Sequence, residues 1–411
     1  MNTLRGRLLV DGKLMTGSLR WQGAKIERVE IEGEIGGADL PIVAPGLIDL
    51  HVHGFGGFDP LEDVEGMARA LARAGTTAFQ PTLFPAAPAL LGRQAESVWT
   101  SAQQSSSRGA RVVGLHLEGP FVNPEAAGAL QREDLATPSV SALNAILGSS
   151  SGSGRGVRTM TIAPELAGST ELIDELVRSN VRVSLGHSRA TAAEARSAAR
   201  AGARGATHLF NAMPPLHHRE VGLAGFALTD AALFAEIIGD LVHVGAEAIE
   251  LALRARGAGG LCLVSDALRG AGTGCDVFHW RGREHFTRDG AAYYAPNDVR
   301  DARRDANETP RDTSGMSRGA HDMPRDDERA RDVPRLAGSA SSQLEMVRKL
   351  STRGVIGVPE ALTMASTSPA RALALDRELG ELRAGLAADF IALRGRELEL
   401  EQVWVAGEPI L

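Results

Sequence analysis

The chain has 411 residues, 43% apolar and 23% charged, with a formal net charge of -7. Such totals suit a soluble globular protein that can hold a barrel of about 250 residues with a smaller module beside it. The negative balance argues against nucleic acid or an anionic membrane as partner, since both select basic patches. The opening Met-Asn-Thr-Leu-Arg-Gly-Arg has no apolar targeting segment, and no apolar run reaches about 18 residues, so a cytoplasmic protein is expected.

Residues 8–43 read as short alternating segments broken by Asp-Gly and Gly-Gly, for example Lys25-Ile-Glu-Arg-Val-Glu-Ile-Glu32. This pattern predicts hairpins of a small β-module. Next comes Ile48-Asp-Leu-His-Val-His-Gly-Phe-Gly-Gly57, an apolar run that carries two histidines with one residue between them. On a strand, residues two apart share a face, so His51 and His53 can aim at one point, and the glycines behind them leave room for something to approach.

Strands are then predicted over 46–51, 77–81, 112–117, 159–163, 182–185, 206–209, 234–238 and 260–264. Alanine-rich helices fall between them, over 60–74, 167–179, 190–201 and 246–257 among others. Near-continuous apolar strands alternating with helices predict a parallel sheet. About eight of them predict a closed (β/α)8 TIM-type barrel, with a doubly wound open sheet as the alternative. Segments 389–393 and 403–411 read as strands again, so both termini should pair into one small β-sandwich module. The expected organisation is a β-module over 1–45 and 370–411, flanking a barrel over 46–369. Residues 297–335 interrupt the barrel with Arg, Asp, Pro, Ser and Gly. Such a stretch cannot bury enough apolar surface to offset its ordering entropy, which predicts a disordered insertion or long surface loop.

Cys262 and Cys275 are too few for a disulfide framework and lack paired metal-ligand spacing, so reduced, inert thiols are expected. The only lysines are Lys13, Lys25 and Lys349.

Read at the C-terminal ends of the predicted strands, the chemistry-bearing residues are His51, His53, Glu118, His187, His208 and Asp266. The active site of such a barrel lies at that face. Imidazole nitrogens and carboxylates are the ligands that a borderline divalent metal takes. Any one of these residues alone could be a hydrogen-bonded histidine or a surface carboxylate. In register at successive strand ends they form a candidate metal site.

The segments Gly114-Leu-His-Leu-Glu-Gly-Pro-Phe121, Ser184-Leu-Gly-His-Ser188, Thr207-His-Leu-Phe-Asn-Ala-Met213, Gly222-Leu-Ala-Gly225 and Leu263-Val-Ser-Asp-Ala267 resemble the N-acetylglucosamine-6-phosphate deacetylases of the amidohydrolase superfamily. The resemblance runs in order from about residue 44 to residue 389, broken only by the charged insertion. It implies that Glu118, His187 and His208 bind a catalytic divalent metal, zinc or iron before others. It also leaves His51 and His53 open for a second metal, giving one or two per subunit. Many amidohydrolases bridge two metals with a carboxylated lysine; no lysine lies between Lys25 and Lys349, so Glu118 is the available bridge.

The resemblance further implies Asp266 as general base and acid, although locally an Asp capping the following helix is an alternative. Substrate contacts carry over to Asn211, the Ala212 backbone, Arg219 and His243, the last two suiting a phosphate. Ala129, Leu130, Leu336, Ala337 and Gly338 fall where the family meets its substrate. His116 reads as support for the ligands, His217 and His218 as loop residues, and His279, His285 and His321 as ordinary ones. The expected partner is a small amino-sugar phosphate, and the expected assembly a homodimer.

One position departs from the pattern: the family usually has a histidine near the substrate carbonyl where this chain has Leu130. Loss of one preorganised donor at a developing oxyanion costs on the order of 10²-fold in rate. The expected activity is metal-dependent hydrolysis of the acetamide of an amino-sugar phosphate. The alternatives are an amidohydrolase acting on another N-acyl sugar phosphate or N-acyl amine, and a non-catalytic scaffold.

Overall fold

Eight short runs of buried residues form consecutive parallel strands: Leu47–Val52, Thr76–Leu83, Leu115–Glu118, Val157–Ile162, Arg182–Leu185, Gly205–Ala206, Phe234–Ile238 and Leu261–Val264. They are called the first to eighth barrel strands below. The computed structural model describes residues 1–34, 39–105, 108–148, 155–294 and 334–410. The eighth strand returns to the first through Asp266 N–H donating to His51 O at 2.8 Å and His53 N–H donating to Ala267 O at 2.9 Å. These bonds bring the two ends of the strand order together at the C-terminal face. The barrel expected from the alternating pattern is therefore the fold.

Amphipathic helices pack outside. Pro60–Arg73 begins under Asp59, whose Oδ1 accepts from the backbone N–H groups of Leu61 and Glu62. Ala192–Ala201 begins with a reciprocal Thr191/Glu194 capping box, which satisfies two otherwise unpaired donors. Inside the barrel the filling is largely polar: the buried set includes Asp49, Gln80, His116, Thr159, Thr161, Ser184, Thr207 and Glu236, while Leu50, Leu117 and Val183 alternate with these to face the helices. Buried polar groups need partners, and many of these reach the site above them.

The two termini pair as expected. Their sheet runs Glu408–Pro409, Glu399–Val405, Phe390–Arg394, Ile42–Pro45, Asn2–Val10, Lys13–Gln22, Lys25–Glu34. Ile42–Pro45 lies at the join, parallel to Asn2–Val10 and antiparallel to Phe390–Arg394. Leu8, Leu19, Trp21, Ile26, Val43 and Phe390 form its own small core. There the Trp21 and Phe390 rings meet edge to face at 4.9 Å, a favoured aromatic geometry.

A third, four-stranded sheet of Val277–Trp280, Arg283–Arg288, Ala291–Tyr294 and Arg335–Ser339 was not evident from the sequence. Its last strand hooks onto the end of the eighth barrel strand, with Ser339 N–H donating to Asp266 O at 2.8 Å and Leu268 N–H to Ser339 O at 3.0 Å. That hook sets Leu336, Ala337 and Gly338 at the barrel mouth. Of the expected insertion at 297–335, residues 297–333 lie outside the described residues, and Arg335 already belongs to a strand. Among the described residues no helix is long and apolar enough to cross a membrane.

Candidate active site

Three of the site residues leave their strands through left-handed backbone: His187 at φ 46°, His208 at φ 31° and Asp266 at φ 49°. For a residue with a Cβ this costs of order 1–3 kcal/mol and persists only where the surroundings hold it. Here the neighbours do so. His187 O accepts from Asn123 N–H at 3.0 Å, Leu209 N–H donates to Glu236 O at 2.7 Å, and Asp266 N–H is tied to the first strand. The result turns each side chain inward over the barrel.

Glu118, His187 and His208 form one cluster. His187 Nε2 and His208 Nε2 lie 3.0 and 3.1 Å from Glu118 Oε1, and 3.0 Å from each other. His51, His53 and Asp266 form a second. Its two Nε2 atoms are 3.2 Å apart, and Asp266 Oδ1 is 3.5 Å from both. Glu118 reaches this half as well, with Oε1 3.4 Å from His51 Nε2 and Oε2 3.3 Å from His53 Nε2.

The protons explain how such nitrogens can face each other. His187 donates Nδ1–H to Ala126 O at 2.9 Å, His53 to Thr82 O at 3.2 Å and His51 to Glu236 Oε2 at 3.3 Å. Each can then present an unprotonated Nε2 to a cation at the centre. Lone pairs and carboxylate oxygens that converge in this way repel one another unless a cation lies among them. Tetrahedral ligands about 2.0–2.1 Å from one ion stand about 3.3 Å apart, close to the 3.0 to 3.5 Å found here. Both clusters fit a divalent metal, and Glu118 spans them.

The electrostatics agree. Burial would raise the Glu118 carboxyl, yet the surrounding imidazoles hold it well below the ordinary carboxylate range. Burial would lower His51, but Asp266, Glu118 and Glu236 carry it well above the usual histidine value. Glu118, Asp266 and Glu236 bring acidic groups to this buried centre, which a cation among them would neutralise. His116 is different: burial pushes it down to about 3. It bridges Leu50 O and Thr161 Oγ1 at 3.2 and 2.8 Å and meets the His51 ring edge-on at 4.7 Å, so it buttresses His51 from below.

Above the clusters opens a cleft, part polar and part apolar in its lining. Glu118, His187, His208, His53 and Asp266 form its floor; Ala129, Leu130, Asn211, Ala212, His243, Leu336, Ala337 and Gly338 line its walls. His243 is oriented by Asp240, whose Oδ2 accepts from Nδ1 at 2.6 Å. His51 lies just beneath, fully buried. Arg219 is not brought to the cleft: it is exposed beside His217, in the turn 217–220.

Sequence reasoning missed Phe84 and Glu236. Phe84 stacks on His53 with ring centroids 3.8 Å apart, and Arg281 lies 4.5 Å over the Phe84 ring. Glu236 had one visible signal, a lone carboxylate in the otherwise apolar seventh strand Phe-Ala-Glu-Ile-Ile. His285, read as ordinary, is buried in the third sheet and lines a cavity beside the cleft, together with Trp280 and Arg281. His217, His218 and His279 are exposed, and His321 lies outside the described residues.

Comparison with known proteins gives a consistent result. The Amidohydrolase family matches residues 42–410. The chain is 30% identical over 417 residues to N-acetylgalactosamine-6-phosphate deacetylase of Escherichia coli O157:H7, covering 99% of this chain and 98% of that one. It is 31% identical over 422 residues to human (Homo sapiens) N-acetylglucosamine-6-phosphate deacetylase, covering 98% and 93%. Among solved structures, a mutant N-acetyl-D-glucosamine-6-phosphate deacetylase from Mycobacterium smegmatis, in complex with N-acetyl-D-glucosamine-6-phosphate, superposes with a TM-score of 0.81 at 27% identity, covering 100% of this chain and 99% of that one. The N-acetylglucosamine-6-phosphate deacetylase of Pasteurella multocida gives 0.80 at 25% identity, covering 99% of each.

Proposed function

Because the chain belongs to the amidohydrolase family, we propose that it hydrolyses the acetamide of N-acetylglucosamine 6-phosphate to glucosamine 6-phosphate and acetate. The observation that carries this reading is the cluster of Glu118, His187 and His208 at the cleft floor with Asp266 beside it. Glu118, His187 and His208 would hold one divalent metal, zinc or iron, and His51 and His53 a second. When bound, such a metal polarises a carbonyl and lowers the pKa of a water toward about 7.

The chain's own residues supply the rest. Asp266 faces the cleft at the junction of the two clusters. It accepts the proton of the attacking water as the new C–O bond forms, and returns it to the leaving nitrogen as the C–N bond breaks. One carboxylate serves both steps because the proton it takes is the one the amine needs. Asn211 and the Ala212 backbone hold the sugar. His243, fixed by Asp240, offers its other ring nitrogen to the phosphate; Arg219, assigned to the same group through the family resemblance, would have to move in with the exposed turn 217–220 to join it. A homodimer and a cytoplasmic location belong to this reading too.

A second reading, in which another N-acyl sugar phosphate is the substrate, is favoured by Leu130 on the cleft wall and by the galactosamine-directed relative. The test is acetate release from N-acetylglucosamine 6-phosphate, its galactosamine epimer and unphosphorylated N-acetylglucosamine. The proposed substrate should give the highest kcat/KM. A preference for the epimer would select the second reading, and indifference to phosphate would remove the roles of His243 and Arg219.

A further inference from the structure

Beneath the cleft, the barrel interior holds a charged pair that the reaction itself does not use. Glu236, in the middle of the seventh strand, has no exposure, and Arg182, at the start of the fifth, exposes 8% of its side chain. Glu236 Oε2 accepts from His51 Nδ1 at 3.3 Å, while Oε1 lies 3.7 Å from Arg182 Nη1. Glu236 Oε1 and all three guanidinium nitrogens of Arg182 otherwise lack hydrogen-bond partners. Space is reserved for the pair: a Cβ on Gly205 would come within 2.6 Å of Arg182 Nη2.

A buried ion pair so poorly hydrogen-bonded is no gain for stability; apolar side chains of similar volume do as well or better. Its position suggests another use. His53 and His187 give their Nδ1 protons to backbone carbonyls, whereas His51 alone gives its proton to a carboxylate. A carboxylate behind a ligating histidine fixes the tautomer, orients the ring and makes the outer nitrogen a better donor to metal.

We propose that Glu236, held by Arg182, is a positioning residue that prepares His51 to bind a metal in the His51–His53–Asp266 half of the site. Its side chain touches neither histidine of the Glu118–His187–His208 half, to which Glu236 contributes only the backbone carbonyl that accepts from Leu209 N–H and that a side-chain change keeps. The cost of burying Glu236 and Arg182 is offset when the second cation is bound. This inference rests on the metal-dependent reading above and deepens it, because it gives the second metal two supporting residues that are not themselves ligands.

The test counts metal, with activity as a separate arm. Chelator-stripped protein is titrated with zinc under competition and analysed for bound equivalents. The wild type should take up two equivalents. Glu236→Gln keeps the shape and an acceptor oxygen but loses the charge, so it should keep one equivalent at unchanged affinity and weaken the other by about 10- to 100-fold. His51→Asn, which removes the ligand itself, should abolish the same equivalent. Should Glu236→Gln fail to fold by circular dichroism, Glu236→Asp keeps the charge while drawing it back from His51, and should weaken that same equivalent alone. A wild type that saturates at one equivalent would overturn the inference, as would a variant that weakens both equivalents alike or neither. Acetate release reports separately: two zinc ions with no deacetylation would sink the functional reading and leave the role of Glu236 standing.

Discussion

His187 Nε2 and His208 Nε2 face each other at 3.0 Å, each about as close to Glu118 Oε1. His187 has already given its proton to Ala126 O, and His208 Nδ1 has no partner. A cation bound between them would stabilise such a pair in the folded protein. Stripping metal with a chelator should therefore abolish acetate release and lower the melting temperature. Zinc at about 1,000 times its Kd should restore about 4 kcal/mol of stability, read by calorimetry with and without metal. Full activity after exhaustive chelation would exclude this site as the catalytic one.

Asp266 holds its place through backbone bonds, with its N–H to His51 O and its O from Ser339 N–H. Asp266→Asn should therefore keep the fold. It should also keep the metal at Glu118, His187 and His208, since Asp266 is not part of that cluster. Without a group that can accept a proton, kcat should fall by roughly 10²- to 10⁴-fold. Metal analysis beside steady-state kinetics separates this from simple metal loss. Near-normal turnover in the metal-loaded variant would refute the proton-transfer role.

The clusters were legible in the sequence because their members end strands whose apolar runs are easily seen. The i, i+2 spacing of His51 and His53 carries its own geometry. Glu236 was not legible in the same way, because its significance is its contact with His51, and only barrel closure joins positions 185 residues apart. The third sheet was hidden for another reason. Its strand Arg283–Arg288 mixes charge, aromatic and buried positions as Arg-Glu-His-Phe-Thr-Arg, with none of the clean alternation that marks a half-buried strand. Phe84 followed a predicted strand as one more apolar residue, and nothing local announced that it would stack on His53. Arg219 shows the opposite case, a residue assigned by resemblance that is exposed and does not line the cleft.

Leu130 is buried against Val122 and Ala127 at the cleft wall. It offers a substrate carbonyl no side-chain donor. Leu130→His would place one there, and should raise kcat/KM on an N-acetyl sugar phosphate by roughly 10- to 100-fold. The same change puts a polar ring among apolar neighbours, so stability should drop by roughly 1–3 kcal/mol. Denaturant melts and initial rates on one preparation measure both. If the rate is unchanged, polarisation at this wall is not what limits the reaction.

The two thiols should differ sharply. Cys275 is exposed, whereas Cys262 is fully buried in the eighth strand. Burial pushes the Cys262 thiol up to about 12, and the thiolate is the reactive form. At pH 8 a thiol reagent should therefore titrate one cysteine per native chain and two after denaturation. Cys262 also pairs across the sheet with Glu236, so labelling it requires the barrel to open beneath the metal clusters. Bound metal favours the closed state by mass action. Labelling of Cys262 in the Cys275→Ser variant should then slow on adding zinc, in proportion to the stability gained. A rate indifferent to zinc would mean that the eighth strand opens without disturbing the site.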